Sequence, residues 1–434
     1  MRIYPKGHKK LTTAWAFYDW ANSVYSLVIA SAIFPIFYQG LFRVAQIENI
    51  EVFGGSIRST PLISYTTAAA FLVVAFISPL LSGISDYRGN KKIFMKFFCY
   101  LGGFSTMGMY FFSLDAIYFS LLLYFLGLIG FWGSLVFYNS YLPDIAYPEQ
   151  QDTLSAKGYA YGYIGSVILL LFNLYMIMNP EVFGFSDALV AMRWSFVSVG
   201  VWWILFSQYA FYYLPKGNKK CHKPSRRILF NGFRELKAVG ASVAKSLLLK
   251  RYLSAFFIYS LAVQTVMLVA TYFGEQEIQW SSSEEQTMGL IVSILLIQIV
   301  AIGGAVGTAK LSDKFGNIPV LIFINGVWVA ICTVAYFIYT PIHFYIVAGV
   351  VGLVMGGIQS LSRSTYSKFL PETKETTSYF SFYDVTEKIG IVIGMSLYGF
   401  IDQVTGSMRN SILFLALFFI IGLLLLLRVQ KSNI

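Results

Sequence analysis

Charge is what this chain has least of. Asp, Glu, Lys and Arg make up 12% of its 434 residues, against about 25% in an average soluble domain. A chain of this length would otherwise fold as about three soluble domains, and each would need a charged surface that this composition does not supply. Cysteine and histidine are also scarce, three of each. Cys99, Cys221 and Cys332 lie far apart, two in apolar segments and one in a basic loop, so neither a disulfide framework nor a metal cluster is expected. His8, His222 and His343 give no ligand spacing and no Ser-His-Asp order. No P-loop and no H-E-x-x-H motif occurs. The expectation is therefore a protein that is not an enzyme and carries no cofactor and no metal, with any work drawn from a solute or ion gradient.

What the chain has is long apolar runs. It is 57% hydrophobic and 18% aromatic, and a bilayer needs about 20 residues of apolar helix. Twelve segments qualify, at 14–38, 62–85, 93–114, 116–139, 158–178, 194–214, 252–274, 288–310, 318–340, 342–362, 379–401 and 411–427. The first is too long for a signal h-region, and no small-residue cleavage site follows it. The expected fold is thus an all-α integral membrane protein of twelve transmembrane helices.

Lys and Arg set the orientation. With the N-terminus inside, only Arg43, Arg58, Arg193 and Arg409 of the 32 basic residues fall outside, a strong asymmetry under the positive-inside rule. Both termini are expected in the cytoplasm. The acidic loop before segment 8 (Glu275, Glu277, Glu284, Glu285) suits the outer face. The net charge of +11 is mostly topology, and because it is spread over separate loops it does not predict nucleic-acid binding.

The longest polar stretch divides the helices six and six. It predicts an N-terminal bundle at 1–214, a cytoplasmic linker at 215–251 and a C-terminal bundle at 252–434. Within the linker, Leu229, Phe233, Leu236 and Val243 recur at helical spacing, with Arg227, Arg234, Lys237 and Lys245 elsewhere on the helix. That pattern predicts an amphipathic helix on the cytoplasmic leaflet. It is either a tether between the bundles or a site for anionic lipid or regulation.

One motif occurs twice. Ile84-Ser85-Asp86-Tyr87-Arg88-Gly89-Asn90 recurs as Leu311-Ser312-Asp313-Lys314-Phe315-Gly316-Asn317, about half the chain further on. A repeat of this kind in an apolar chain predicts two homologous bundles with a binding site between them. Both copies fall on short cytoplasmic turns, 2–3 and 8–9. Gly89 and Gly316 can take a positive φ there. Asp86 and Asp313 can each meet a helix N-terminus of the opposite half as a gate, or simply end their own helix.

Around the first copy the chain resembles the signature loop of major facilitator superfamily transporters. Ile84, Asp86, Gly89 and Lys91 match that loop, while Ser82 replaces its first glycine and Asn90 a basic residue. A closer resemblance is to the vacuolar-effluxer-like branch, which includes the fungal autophagy-related vacuolar amino-acid effluxer. It is carried by Tyr18-Asp19-Trp20-Ala21-Asn22-Ser23, Tyr138-Asn139-Ser140-Tyr141-Leu142-Pro143-Asp144, Gly158 to Gly165, Val263-Gln264-Thr265, Leu361-Ser362-Arg363-Ser364 and Tyr379 to Lys388. Leu261-Ala262 stand where many members carry Asp-Gly. The resemblance implies two pseudo-symmetric six-helix bundles rocking about a central site. Segments 1, 4, 7 and 10 would line that site, and 2, 5, 8 and 11 would flank it.

Ionisable groups inside the membrane are the foremost site candidates, because they are costly there and rarely face lipid. Asp19 is open to three roles: proton carrier, permanent ion-pair partner or solvated helix-start acid. Arg363 is either a bidentate ligand for a substrate carboxylate, a snorkelling cation or a gate closed against an acid. Asp384 and Lys388 are spaced to pair along one face, leaving Glu387 as the net negative charge. That cluster suits a gate, a substrate contact or a proton relay. Asn22, Tyr138, Asn139, Gln264, Thr265 and Gln359 can line a wet cavity or bond neighbouring helices. Small-xxx-small pairs (Gly158/Gly162, Gly303/Gly307, Gly352/Gly356, Gly390/Gly394) are expected in close helix packing. Three of them suggest a sliding surface between the halves.

The expected function is secondary active transport of a small organic solute by alternating access. The resemblance points to neutral amino acids, and proton coupling through Asp19 or the segment 11 acids is a hypothesis. Export of a drug-like or peptidoglycan-derived solute, or a non-transporting membrane sensor, are the alternatives. The expected setting is a bacterial plasma membrane. The expected partners are lipids, a small solute and protons, and the chain is expected to act as a monomer.

Overall fold

The computed structural model describes residues 4–47, 49–52, 54–216 and 228–430. Cys221, His222 and Arg227 of the linker lie outside the described residues, as does the side chain of Leu229. Twelve long helices occupy the twelve expected positions among the described residues. They are α1 (Lys9–Val44), α2 (Ser59–Arg88), α3 (Lys91–Gly108), α4 (Ile117–Asn139), α5 (Pro148–Met178), α6 (Ala188–Tyr213), α7 (Leu247–Glu277), α8 (Ser283–Phe315), α9 (Asn317–Ala335), α10 (Pro341–Phe369), α11 (Thr376–Thr405) and α12 (Met408–Gln430). Ten of these are long and apolar enough to cross a membrane. The other two are α3, with Lys91, Lys92 and Lys96 in its first turns, and α11, with Asp384, Glu387 and Lys388 near its middle. Their charges hold them below the same threshold.

The helices outrun their apolar cores because polar residues build the ends. α5 starts at Pro148, ten residues before the apolar run. Proline suits the first helical position, and the Gln150 side chain accepts from the Tyr147 N–H, closing the first turn. Asp187, Ser246 and Ser282 cap α6, α7 and α8 by accepting from the N–H groups of Val190, Leu249 and Glu285. Two features had no signal in hydropathy. Tyr25–Ile33 is a π-helical stretch inside α1, where the Ser31 hydroxyl donates five residues back to the Ser26 carbonyl. Between α1 and α2, β1 (Asn49–Val52) and β2 (Gly55–Arg58) form an antiparallel hairpin.

Packing repeats between the halves. In the first half α1 packs on α5 and α6, α3 on α4 and α6, and α2 on α4. In the second half α7 packs on α11 and α12, α9 on α10 and α12, and α8 on α10. The bundles meet through α5 with α8 and α10, and through α11 with α2. Two arginines make the symmetry concrete. Arg193 at the start of α6 donates to the Tyr110 and Phe112 carbonyls after α3 and lies over the Phe37 ring. Arg409 at the start of α12 donates to the Ala335, Tyr336 and Ile338 carbonyls after α9, pairs with Glu277 at 2.7 Å and lies over Tyr339. Each closes a frayed helix end whose carbonyls have no partner of their own.

Three expectations change. The linker does contain a helix, Ile228–Lys245, but it packs on α2 and α11. Its buried residue is Val239, Phe233 is exposed, and Ser242 accepts from the Tyr379 hydroxyl. The helix therefore rests on protein, with Val239 facing it. Most of the paired glycines pack within their own bundle, Gly158 being the one that faces the opposite half. A Cβ on Gly162 would meet Ser23 of α1, and one on Gly394 would meet Thr265 of α7, while Gly303 and Gly307 face open space. It is Gly304 that lets α8 reach the α10 backbone. The contact between α5 and α8 is instead built from Ala156, Ala305 and Ala309.

Candidate functional site

The hydrogen bonds and ion pairs joining the two bundles gather toward one face, which carries the 2–3, 4–5, 8–9 and 10–11 connections. At their centre is Arg363. The helix α10 continues past its apolar run to Phe369, which places Arg363 inside the molecule at 2% exposure. Its Nε donates to the Ser155 hydroxyl at 3.0 Å, and one terminal nitrogen donates to the Ser155 carbonyl at 3.0 Å. The other donates to Asn139 Oδ1 at 3.1 Å, and both approach Asp19 Oδ2 at 3.4 Å. All of these acceptors belong to the other bundle. The five N–H groups of the guanidinium are therefore matched by five contacts. Three aromatic rings surround it, Tyr159 at 4.3 Å, Trp15 at 4.7 Å and Tyr138 at 5.5 Å.

Asp19 is equally enclosed, at 4% exposure, and also accepts from the Tyr138 hydroxyl at 2.7 Å. Trp15 fixes Tyr138 by donating to its carbonyl at 2.9 Å and stacking on its ring at 4.6 Å. Gly158 makes room for the pair. A Cβ there would lie 2.5 Å from Asp19 Oδ2 and 3.1 Å from both an Arg363 nitrogen and the Tyr138 oxygen. Arg363 and Asp19 thus form a neutral buried pair in which all the guanidinium donors are used and Asp19 Oδ2 accepts from both Arg363 and Tyr138, the kind of support that lets such a pair be tolerated.

Closer to the face, each half holds the other by a polar turn. Gly89 takes a left-handed conformation, φ 64°, and Gly316 also has a positive φ, 85°. Asp86 is buried and accepts from the N–H groups of Ser378 at 2.6 Å and Thr377 at 3.4 Å. The α11 N-terminus has no side-chain cap of its own, so a carboxylate from the opposite bundle caps it. Lys91 stands beside it, paired with Asp144 at 2.6 Å and donating to Thr376 at 2.8 Å. The second copy works differently. Asp313 is exposed and makes no such contact among the described residues. There the acid comes from the other side. Asp152 on α5 accepts from Asn317 at 2.8 Å and Ser312 at 3.3 Å and pairs with Lys368 of α10. Asp152 lies before the apolar run that begins at Gly158, on the polar start of α5 that hydropathy does not mark.

Deeper in, α11 carries a second charged cluster. Lys388 donates to Asp384 at 2.7 Å and Glu387 at 2.9 Å and lies 3.9 Å over the Trp132 ring of α4. Glu387 also accepts from Gln264 at 2.9 Å. Asp384 Oδ2 is buried with no hydrogen-bond partner among the described residues. Two acids share one lysine, leaving one negative charge in excess when all are ionised. Tyr159, with Arg363 4.3 Å over its ring, also feels the charges of Asp19 and Glu387 and so stands near both clusters.

The neutral candidates divide. Gln359 accepts from Tyr163 of the other bundle at 3.0 Å. Asn22 is buried, and its Nδ2 has no partner among the described residues. Thr265 donates to its own helix at Leu261 and fills the space beside Gly394, so it does not line a cavity. Ser155, Tyr159, Asp152 and Lys368 were not singled out from sequence. Tyr159 lies within the Gly158 to Gly165 motif, and Ser155, Asp152 and Lys368 lie beyond the expected helix ends.

Comparison with known proteins agrees with this architecture. The chain shares 30% identity with the uncharacterized MFS-type transporter YxiO of Bacillus subtilis, over 99% of this chain and 96% of that protein. It is 27% identical to autophagy-related protein 22 of Eremothecium gossypii, over 85% and 78%. Among solved structures, the major facilitator transporter FucP in the outward conformation superposes with a TM-score of 0.71 at 15% identity, covering 97% of both chains. The human organic anion transporter MFSD10 gives 0.70 at 12%, covering 97% and 100%. The family described as vacuole effluxer Atg22 like matches residues 7–433. The chain belongs to this family, a branch of the major facilitator transporters.

Proposed function

We propose that the protein moves a small organic solute by alternating access, with neutral amino acids as the substrate class and a proton as the coupling ion. The observation that carries this reading is the seating of Arg363. Its guanidinium is held entirely by the opposite bundle, so separating the bundles frees its donors together. A solute carboxylate then takes the place of Asp19 in the bidentate geometry that suits arginine. The excess negative charge of Asp384, Glu387 and Lys388 offers a place for the solute ammonium or for a proton. Asp19 is already matched by Arg363, which makes the α11 acids the better coupling site. The positive-inside rule puts the closed face and both termini in the cytoplasm, with a bacterial plasma membrane as the setting and a monomer as the working unit.

The test is flux in proteoliposomes. Purified protein is reconstituted with a mixed pool of amino acids and small metabolites, a pH gradient is imposed, and each solute is followed by mass spectrometry beside Asp19→Asn and Asp384→Asn. Gradient-driven movement of neutral amino acids, lost in Asp384→Asn, supports the reading. No movement of any amino acid rejects the substrate class and turns attention to drug-like or peptidoglycan-derived solutes, or to a sensor without flux.

A further inference from the structure

Away from the bundle interface, a cleft of about 760 Å³ opens on the perimeter of the first half, at the face that carries the N-terminus. Three elements build it: the residues leading into α1 (Tyr4, Lys10), the first turns of α3 (Asn90, Lys92, Ile93, Lys96) and the end of α6 (Phe211 to Tyr213, Lys216). Among the described residues that line it, four are lysines and none is an acid. The charged groups that act on Lys92 are Lys96 and Lys216, both of its own sign. Lys92 is buried and spends one N–H on the Leu214 carbonyl at 2.7 Å. Lys96 lies 5.3 Å over the Phe211 ring, and Lys10 lies 5.8 Å over Tyr4. An unmatched cluster of cations in a cleft is costly unless an anion joins it.

The backbone adds to the charge. Asn90 is the N-cap of α3 and makes no side-chain cap bond. The first turn of this 18-residue helix lines the same cleft through Asn90, Lys92 and Ile93, with the Lys92 backbone N–H already donating to the Lys216 carbonyl at 3.4 Å, so its dipole adds to the local positive charge. The fold does not demand these lysines. In the register of the repeated motif, Pro319 and Phe323 stand in the second half where Lys92 and Lys96 stand in the first. The surroundings indicate where the anion comes from. Ile93 is 54% exposed, and Phe97 and Phe104 continue its stripe down α3 at 55% and 61%. Tyr212, at 74%, faces out beside them. An apolar stripe leading into a basic cleft suits acyl chains below a charged head group.

We propose that this cleft is a binding site for a phosphate oxyanion, carried into it as the head group of an anionic phospholipid. Lys10, Lys96, Lys216 and the α3 N-terminus hold the phosphate, Lys92 positions the α6 end against it, and the acyl chains lie along Ile93, Phe97 and Phe104.

The test uses the full chain in detergent, titrated with phosphatidylglycerol, phosphatidylcholine and inorganic phosphate, with bound lipid counted by native mass spectrometry. The variant is K10Q/K96Q/K216Q, which keeps Lys92 and its bond to Leu214. A control, K250Q/K310Q/K314Q, removes the same charge from exposed positions of the second half. Wild type and control are expected to retain phosphatidylglycerol over phosphatidylcholine, and the variant to bind it about tenfold more weakly or worse. Should the triple variant not fold, Lys216→Gln alone, at an exposed position, is expected to show a smaller loss of the same sign. Competition by inorganic phosphate at equal affinity, without lipid preference, upholds the oxyanion site but overturns the lipid source. Equal lipid selectivity in variant and control overturns the proposal.

Discussion

Arg363 of α10 and Asp19 of α1 meet across the two bundles, and neither has more than a few per cent of its surface exposed. A buried pair of this kind adds little net stability, but losing one partner strands the other. Asp19→Asn is expected to destabilise the closed form by about 3–5 kcal/mol. Asp19→Asn combined with Arg363→Gln is expected to cost less than the sum of the two single changes. Thermal unfolding of the four proteins in one detergent measures the cycle, and strictly additive losses would show that the pair is not coupled.

Glycine spacing gives a sharper contrast. Gly158→Ala keeps every charge but drives a methyl into Asp19, Arg363 and Tyr138. It is expected to cost about 1–3 kcal/mol and to lower flux. Gly303→Ala and Gly307→Ala meet nothing within 4 Å, so they are expected to be silent, or to stabilise slightly through helix propensity. Parallel flux and melting measurements on the three variants separate these outcomes.

The repeated turn is unequal in its two copies. Asp86→Asn removes a charged cap from the α11 N-terminus and is expected to favour the open form by about 1 kcal/mol. Asp313→Asn is expected to change neither stability nor flux. Asp152→Asn, which strands Lys368, should behave as Asp86→Asn does. Accessibility of engineered cysteines on the closed face reads all three.

The arginine staples predict a pure stability effect. Arg409→Ala leaves three carbonyls and Glu277 without their donor and is expected to cost about 3 kcal/mol. Arg193→Ala, with two carbonyls at stake, is expected to cost about 2 kcal/mol. Reconstituted protein that survives should transport normally, because neither residue touches the bundle interface. A loss of flux without loss of stability would contradict a structural role.

The fold was legible because hydrophobic length and the repeated motif are both local signals. Helix ends were less so. Polar turns at the start of α5 and the end of α10 extend beyond the apolar runs, and those turns carry Asp152, Ser155, Arg363 and Lys368. The intramembrane charges Asp19, Arg363, Asp384, Glu387 and Lys388 stood out by their rarity, yet which acid faces which base is a property of tertiary packing. The motif symmetry suggested that Asp313 would mirror Asp86. The chain instead places the acid on α5, an exchange that no pattern within the repeat contains. The π-helical stretch Tyr25–Ile33 has no hydropathy signature at all.

If alternating access works as proposed, polar ties led by Arg363 and Asp19 hold one face closed and must break for the bundles to rock. Spin labels at Thr153 on α5 and Lys314 on α8, both exposed on that face, report the separation directly by pulsed dipolar spectroscopy without a known substrate. A dominant short distance is expected in the otherwise unaltered chain, with a longer population that becomes dominant in Asp19→Asn. An unchanged distribution in Asp19→Asn would show that this pair does not hold the face closed.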